Sequence, residues 1–358
     1  MKVLQVIPNL HMGGAEIMCE ALTMELMKKG IDAKIISLYE CDTPLTKRLL
    51  SAGAEIIFLD KKVGVDLSIV KKLRKIFKQE RPDVVHSHLN AQKYVMVAAR
   101  KMGIPNLVHT VHSVAEKELG VADRFLAKRF YKKKTIIPVA LSEQIQKTIV
   151  DVYGVPFVSV PIVSNGVDLS KCMFKKDYAI GSTIEVLHIG RFSQEKNHKG
   201  LIDAFKLFHQ VKPHSVLTLI GNGDKFDEIK EYVDENGLED VVRFLGLQTE
   251  VHRYIHDADI FVLPSHYEGI PMTLIEAMGT GVPIIATAVG GVPDMLTNGE
   301  SALLTAVDSQ DVADAMLKLA NSAELRERLG KNALAQSVAF SSEEMARRYI
   351  AIYQGEYK

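Results

Sequence analysis

Short runs of Val, Ile and Leu alternate with longer stretches whose apolar residues recur every three or four positions, almost from end to end of the chain. In the first half, residues 3–7, 33–38, 55–59, 83–88, 106–111 and 135–141 predict strands, and residues 16–29, 69–80 and 92–102 predict amphipathic helices between them. After about Asp168 the rhythm pauses in a polar stretch around residues 171–182. It restarts with predicted strands at 185–190, 216–221, 241–245, 260–263 and 283–287. Near-continuous apolar strands separated by helices belong to parallel sheets covered on both faces. No fixed-period repeat and no low-complexity tract interrupts the pattern.

Two such series joined by one linker predict an α/β protein of two Rossmann-like domains facing each other, which suits a length of 358 residues. Composition is that of a globular protein, with 47% hydrophobic and 25% charged residues. It excludes a disordered chain. The net charge is zero, from 44 Lys+Arg against 44 Asp+Glu, which gives no support to a nucleic-acid binder. That zero conceals an asymmetry: residues 1–170 carry 25 Lys+Arg and only 17 Asp+Glu, so the first half is basic and the second acidic. Cys19, Cys41 and Cys172 are too few and too scattered for a disulfide framework or a zinc motif. No segment reaches the ~20 apolar residues of a membrane span, and residues 1–8 are too short and interrupted for a signal peptide. The expectation is a cytoplasmic protein able to touch a membrane surface.

Four features point to a diphosphate-bearing ligand. Gly13-Gly14-Ala15-Glu16 follows the first strand and opens the first helix, where glycines admit a close ligand and free N–H groups face an anion. It is not a GxGxxG fingerprint, and a plain strand-to-helix turn explains it as well. Arg191 and Lys196 lie in the loop after the first strand of the second half, at the strand end where open α/β sheets hold ligands. A guanidinium fork and an ammonium suit two phosphates, although two exposed cations also suit a solvated surface. In Ser265-His266-Tyr267-Glu268-Gly269-Ile270-Pro271, Pro271 fits the first turn of a helix, which makes the amides of residues 269–273 a further anion-accepting helix start. Glu268 in the loop and Glu276 two turns along the helix are carboxylates suited to sugar hydroxyls. Gly290-Gly291-Val292-Pro293-Asp294 and Gly221-Asn222-Gly223 repeat the glycine turn at neighbouring strand ends.

Taken together, these residues resemble retaining glycosyltransferases of the GT-B fold, family 4. The resemblance spans nearly the whole chain. Its most specific part is Ser265…Glu268-Gly269…Pro271…Glu276-Ala277-Met278…Gly281-Val282-Pro283 with the following Gly290-Gly291-Val292-Pro293-Asp294; Gly13–Glu16 and Ser164-Asn165-Gly166-Val167-Asp168 fall in the expected order. The resemblance implies an acceptor-binding domain over 1–168, a nucleotide-sugar-binding domain over 169–341, and a last helix, 342–358, that returns to the first domain. It implies that Arg191 and Lys196 neutralise the donor diphosphate and that Glu276 holds the ribose. Glu268 and the segment Gly269, Ile270, Pro271, Met272 and Thr273 would orient the donor sugar, with Asn222 beside them. Gly13 and Gly14 would complete the phosphate site, His112 would stand near the sugar O6, and Asn165 and Gly166 would form a hinge. The implied reaction transfers a hexose from a nucleotide-diphosphate donor, uridine diphosphate by family frequency, to a glycan or lipid-linked acceptor with retention and without a metal or other cofactor.

Other readings compete. A sugar-nucleotide epimerase or hydrolase on the same scaffold would need a catalytic carboxylate acting on the ring, and none stands out. A silent subunit that binds the donor for regulation would not need the full diphosphate set. His86 and His88, on one face of a strand, suit a metal-dependent hydrolase, but no carboxylate set accompanies them. Asp257-Ala258-Asp259 reads as a helix end rather than a metal site. Residues 69–78 and 124–134 pair apolar positions with clustered Lys and Arg, which fits either an anionic membrane surface or a solvated helix face.

Overall fold

The computed structural model describes residues 1–11 and 13–356. It divides into two compact units, Met1–Gly166 with Ser342–Lys358, and Val167–Ser341. Among the described residues, twelve strands form two six-stranded sheets, and every pairing is parallel.

In the first unit the strands are β1 (Lys2–Ile7), β2 (Asp32–Ser37), β3 (Glu55–Phe58), β4 (Val84–His88), β5 (Asn106–Val111) and β6 (Ile137–Ala140), in the order β3-β2-β1-β4-β5-β6. Val3, Val84, Val108 and Val139 point to one face, against Met18, Leu22 and Leu26 of the helix Gly14–Lys28. The helix Ser342–Tyr353 completes the same core with Met345, Ala346, Tyr349, Ile352 and Tyr353. The chain therefore leaves the first unit after Gly166, two residues before the expected boundary, and its last helix builds that unit's interior. Asn165 and Gly166, the expected hinge residues, are both buried where the unit ends.

The second unit holds β7 (Ile184–Ile189), β8 (Ser215–Ile220), β9 (Val242–Phe244), β10 (Ile260–Leu263), β11 (Ile284–Thr287) and β12 (Leu303–Thr305), ordered β12-β11-β10-β7-β8-β9. The aromatic rings of Phe192, Phe205 and Phe208 fill its core beside Leu217, Leu219, Ile260 and Val262. β12 falls outside the expected strands, because three residues are too few to show a period. The helix expected over 92–102 ends at Ala98. In both units the strand order reverses once, between β1 and β4 and between β7 and β10. At such a reversal the loops leave in opposite directions and open a crevice at the carboxyl ends of the strands.

Candidate functional site

In the second unit, the loops after β7 and β10 are fastened to each other at the reversal. The amide of His266 donates to the Glu195 carbonyl at 2.8 Å, and Asn197 Nδ2 donates to the Pro264 carbonyl at 3.0 Å. Asn197 has φ 54°, a left-handed conformation that asparagine tolerates, and its side chain caps the helix His198–Val211 through the Gly200 amide. This tight turn delivers Lys196 to Glu268: Nζ lies 2.7 Å from Oε1. Ser265 Oγ donates to the same oxygen at 2.5 Å. Glu268 is buried, and its Oε2 has no protein partner among the described residues.

Arg191 is exposed, and its guanidinium makes no ion pair or hydrogen bond among the described residues. Asn222 is also exposed; its carbonyl accepts the Phe192 amide at 3.1 Å, and its Oδ1 accepts the Gly223 amide at 2.7 Å. The glycines around it are steric requirements. A Cβ on Gly221 would lie 1.9 Å from the Gly190 carbonyl oxygen, and one on Gly223 would lie 2.2 Å from that of Phe192.

The helix Met272–Thr280 starts behind Pro271 with no side-chain cap. Pro271 occupies the N-cap, one place before the expected first turn, so the amides of Met272 and Thr273 are left open to a ligand. Ile270 and Met272 are buried, which anchors the loop and exposes its backbone rather than its side chains. Beneath it lies the second glycine pair. A Cβ on Gly290, at φ 56°, would fall 1.7 Å from the Glu268 carbonyl oxygen, and one on Gly291 would fall 2.4 Å from that of Gly269. These two glycines therefore set the height of the 268–270 loop. Glu276, half-buried one turn further along, has no side-chain hydrogen bond among the described residues, and burial pushes its carboxyl up to about 7 against the pull of Lys171. It is a desolvated acceptor without a partner. A separate cavity of 620 Å³, lined by Lys175, Glu185, His256, Asp257 and Asp259, opens at the amino ends of β7 and β10 and touches none of these residues. Asp257 ends the helix His252–Asp257, and Asp259 accepts the Glu185 amide at 2.9 Å.

In the first unit, Gly13 is the N-cap of the helix Gly14–Lys28, and no side chain caps it through a hydrogen bond. A Cβ on Gly14 would meet nothing within 4 Å, so a ligand can approach there. At Gly13 it would lie 2.5 Å from Glu16 Oε2. The helix start thus already holds the carboxyl of its own Glu16, whose pKa burial raises and its own amide lowers. Sequence reasoning missed this competitor for the phosphate. His112 follows β5, and its Nε2 lies 3.1 Å from Nδ1 of His88. All four ring nitrogens of His86 and His88 face protein groups: Tyr353 and Thr110 for His86, His112 and Gln5 for His88. Those bonds leave the two rings no lone pair to share with a metal ion.

Paired parallel-sheet units of this topology, with glycine turns, cations and carboxylates at the strand ends, define the GT-B fold. The structure matches that of Anabaena Alr3699/HepE, solved in complex with UDP and glucose, at TM-score 0.84 over 99% of both chains, with 19% identity. In sequence, the chain is 29% identical to the N-acetyl-alpha-D-glucosaminyl L-malate synthase of Bacillus anthracis over 80% of this chain and 78% of that one. It is 28% identical to the UDP-Gal:alpha-D-GlcNAc-diphosphoundecaprenol alpha-1,3-galactosyltransferase of Escherichia coli over 63% of each. Residues 12–171 match the Glycosyltransferase Family 4 model, and residues 173–336 match that of Glycosyl transferases group 1. The chain belongs to this family: it is a glycosyltransferase of the GT-B fold.

Proposed function

We propose that the enzyme is a retaining, metal-independent hexosyltransferase that takes its sugar from a uridine diphosphate donor and gives it to a glycan or lipid-linked acceptor. One observation carries the reading: the Lys196–Glu268–Ser265 cluster, fixed across the reversal between β7 and β10 beside the uncapped start of the helix Met272–Thr280. In the reaction, the bond from the anomeric carbon to the donor diphosphate breaks, and its electron pair stays on the diphosphate. The acceptor oxygen bonds to the same face of that carbon, and its proton passes to the departing phosphate oxygen. Negative charge grows on the diphosphate, where Lys196 and the Met272 and Thr273 amides are already oriented and Arg191 is free to close on it. These cations supply what a divalent metal would otherwise provide.

Glu268 Oε2 accepts a donor-sugar hydroxyl, and Glu276 accepts the ribose hydroxyls, whose hydrogens compensate its desolvation. Supporting a uridine donor are the UDP bound by the Anabaena protein and the UDP-sugar in the name of the Escherichia coli relative. The latter also names a diphosphoundecaprenol, which supports a lipid-linked acceptor. No helix among the described residues is long and apolar enough to cross a membrane. Two cationic helices support a peripheral association with one. The helix Ser68–Glu80 turns Lys71, Lys75 and Lys78 outward, while the exposed Lys72 and Arg74 donate to the carbonyls of Leu59 and of Val97 and Ala98, and Val63, Val65 and Leu67 just before the helix are exposed, Val63 to 97%. In the helix Val121–Lys132, Val121 and Phe125 are exposed beside Arg129 and Lys132. Cations over apolar side chains suit the cytosolic face of an anionic bilayer.

The test is thermal shift with UDP, UDP-glucose, UDP-N-acetylglucosamine and GDP-mannose, with and without chelator, followed by NMR of the anomeric configuration of the product. A uridine nucleotide is expected to stabilise the protein equally in both conditions, with an axial donor linkage kept axial. Chelator-sensitive binding or an inverted product refutes the reading.

A further inference from the structure

A buried chain of hydrogen bonds runs from the first strand to His112. Gln5, in the middle of β1, is fully buried. Its Nε2 lies 3.4 Å from the Cys19 carbonyl oxygen and 2.5 Å from Thr23 Oγ1, while the Thr23 hydroxyl hydrogen is given to that same carbonyl at 2.7 Å. The carbonyl can only accept, and Thr23 has spent its hydrogen, so the amide nitrogen of Gln5 must face them. Its Oε1 then faces the other way, 3.5 Å from Cys19 Sγ and 3.0 Å from His88 Nε2.

An amide oxygen has no hydrogen to give, so His88 carries its proton on Nε2. His88 is neutral: it is fully buried, its neighbours His86, His109 and His112 bring no negative charge, and burial holds its pKa well below the usual value. A neutral imidazole has one N–H, which leaves a lone pair on His88 Nδ1. That atom lies 3.1 Å from His112 Nε2. Two lone pairs do not make such a contact, so His112 donates from Nε2. Burial pushes the His112 pKa down to about 3, so this ring is neutral as well. Its second nitrogen, Nδ1, has no hydrogen bond among the described residues.

We propose that Gln5 is a positioning residue which, acting through His88, locks His112 in the Nε2–H tautomer, so that His112 offers a lone pair at Nδ1 to a ligand hydroxyl. The nature of the ligand rests on the sugar-transfer reading; the tautomer belongs to the free chain. The consequence is a specificity filter. A hydroxyl meets an acceptor at Nδ1, whereas a carbonyl, carboxylate or phosphate oxygen meets lone-pair repulsion, and a deoxy sugar leaves the nitrogen unpaired.

The experiment is long-range proton–nitrogen NMR of the full chain labelled with [15N]histidine, with His112 and His88 assigned from the His112→Asn and His88→Asn spectra. Both residues are expected to show a protonated Nε2 and a bare Nδ1. A His112 proton on Nδ1, or averaged shifts on its two nitrogens, overturns the proposal. In Gln5→Met, which keeps the length of the side chain but removes its polar atoms, both rings are expected to average between tautomers; unchanged spectra in a folded variant remove Gln5 from its role. His88→Phe tests the same link from the other side and is expected to release His112 alone. Addition of UDP-glucose is expected to shift His112 Nδ1. Absence of that shift with the tautomer intact would count against the ligand reading and leave the Gln5 relay standing.

Discussion

Replacing Glu276 by Gln removes a charge that the fold penalises and an acceptor that the donor is proposed to use, so the variant should gain stability and lose affinity. Burial holds the Glu276 carboxyl at about 7, against 4.5 for a free side chain. Between those values the native state keeps a proton that the unfolded chain releases. Its contribution to stability therefore falls as pH rises through this window and is flat below 4.5 and above 7. At 1.36 kcal/mol for each unit of displacement, and discounted for the half-exposed side chain, the loss comes to about 2–3 kcal/mol. Gln cannot ionise. Glu276→Gln should match the wild type near pH 4 and exceed it by about 2–3 kcal/mol at pH 8, which for a unit of this size is roughly 4–12 °C in melting temperature. The assay is calorimetry of both proteins at pH 4, 5, 6, 7 and 8, following the transition of the second unit. With UDP-glucose, whose diphosphate does not titrate in this range, wild-type affinity should rise with pH as the carboxylate forms, while that of the variant stays low and flat. Parallel stability curves would refute the burial argument. Tighter donor binding by the variant would refute the ribose assignment.

Other outcomes follow from the same geometry. Arg191→Ala, at an exposed side chain with no partner among the described residues, should change stability by less than about 0.5 kcal/mol while lowering kcat about 10²–10³-fold, checked by thermal melts and turnover with a UDP-sugar. Lys196→Met leaves buried Glu268 without its cation and should cost about 2–4 kcal/mol, with part of the loss recovered in the Lys196→Met/Glu268→Gln double variant; urea titrations of the four proteins measure the coupling. Gly290→Ala places a methyl group against the Glu268 carbonyl at a left-handed φ, and should displace the 268–270 loop and abolish donor-induced stabilisation. Reversing Lys71, Lys72 and Lys75 to Glu should release the protein from vesicles containing phosphatidylserine at about 1 kcal/mol per charge, as read by sedimentation; wild-type protein that binds neutral and anionic vesicles equally removes the docking surface.

The strands were legible because they are buried on both faces and so spell mostly apolar runs, as in Val-Leu-Gln-Val-Ile of β1 and Ile-Phe-Val-Leu of β10. The cations of the second unit stood out because a diphosphate demands them in loops that follow strands, and Glu268 and Glu276 because sugar hydroxyls demand acceptors beside them. What the sequence withheld were relations between distant positions. Nothing local announces that Lys196 closes on Glu268, that Gly290 and Gly291 lie under the loop of Glu268 and Gly269, or that Glu16 folds back over Gly13. Gln5 did leave a trace, since a lone amide inside Val-Leu-Gln-Val-Ile must find partners when that strand is buried. The partners come from the helix Gly14–Lys28 and from β4, and no spacing rule links them.

The helix Ser342–Tyr353 has a consequence for how the protein is born. Tyr349 and Tyr353 are fully buried among residues from the first half of the chain, yet they are synthesised after everything in the second unit. At about 5–20 residues per second, the ribosome spends roughly 10–35 s on the intervening segment. Throughout that interval the nascent first unit exposes an oily trench over Val3, Met18 and Leu22, whereas the second unit can settle as soon as it emerges. The half that is begun first is thus finished last, and it is the half on which holdase chaperones should be found.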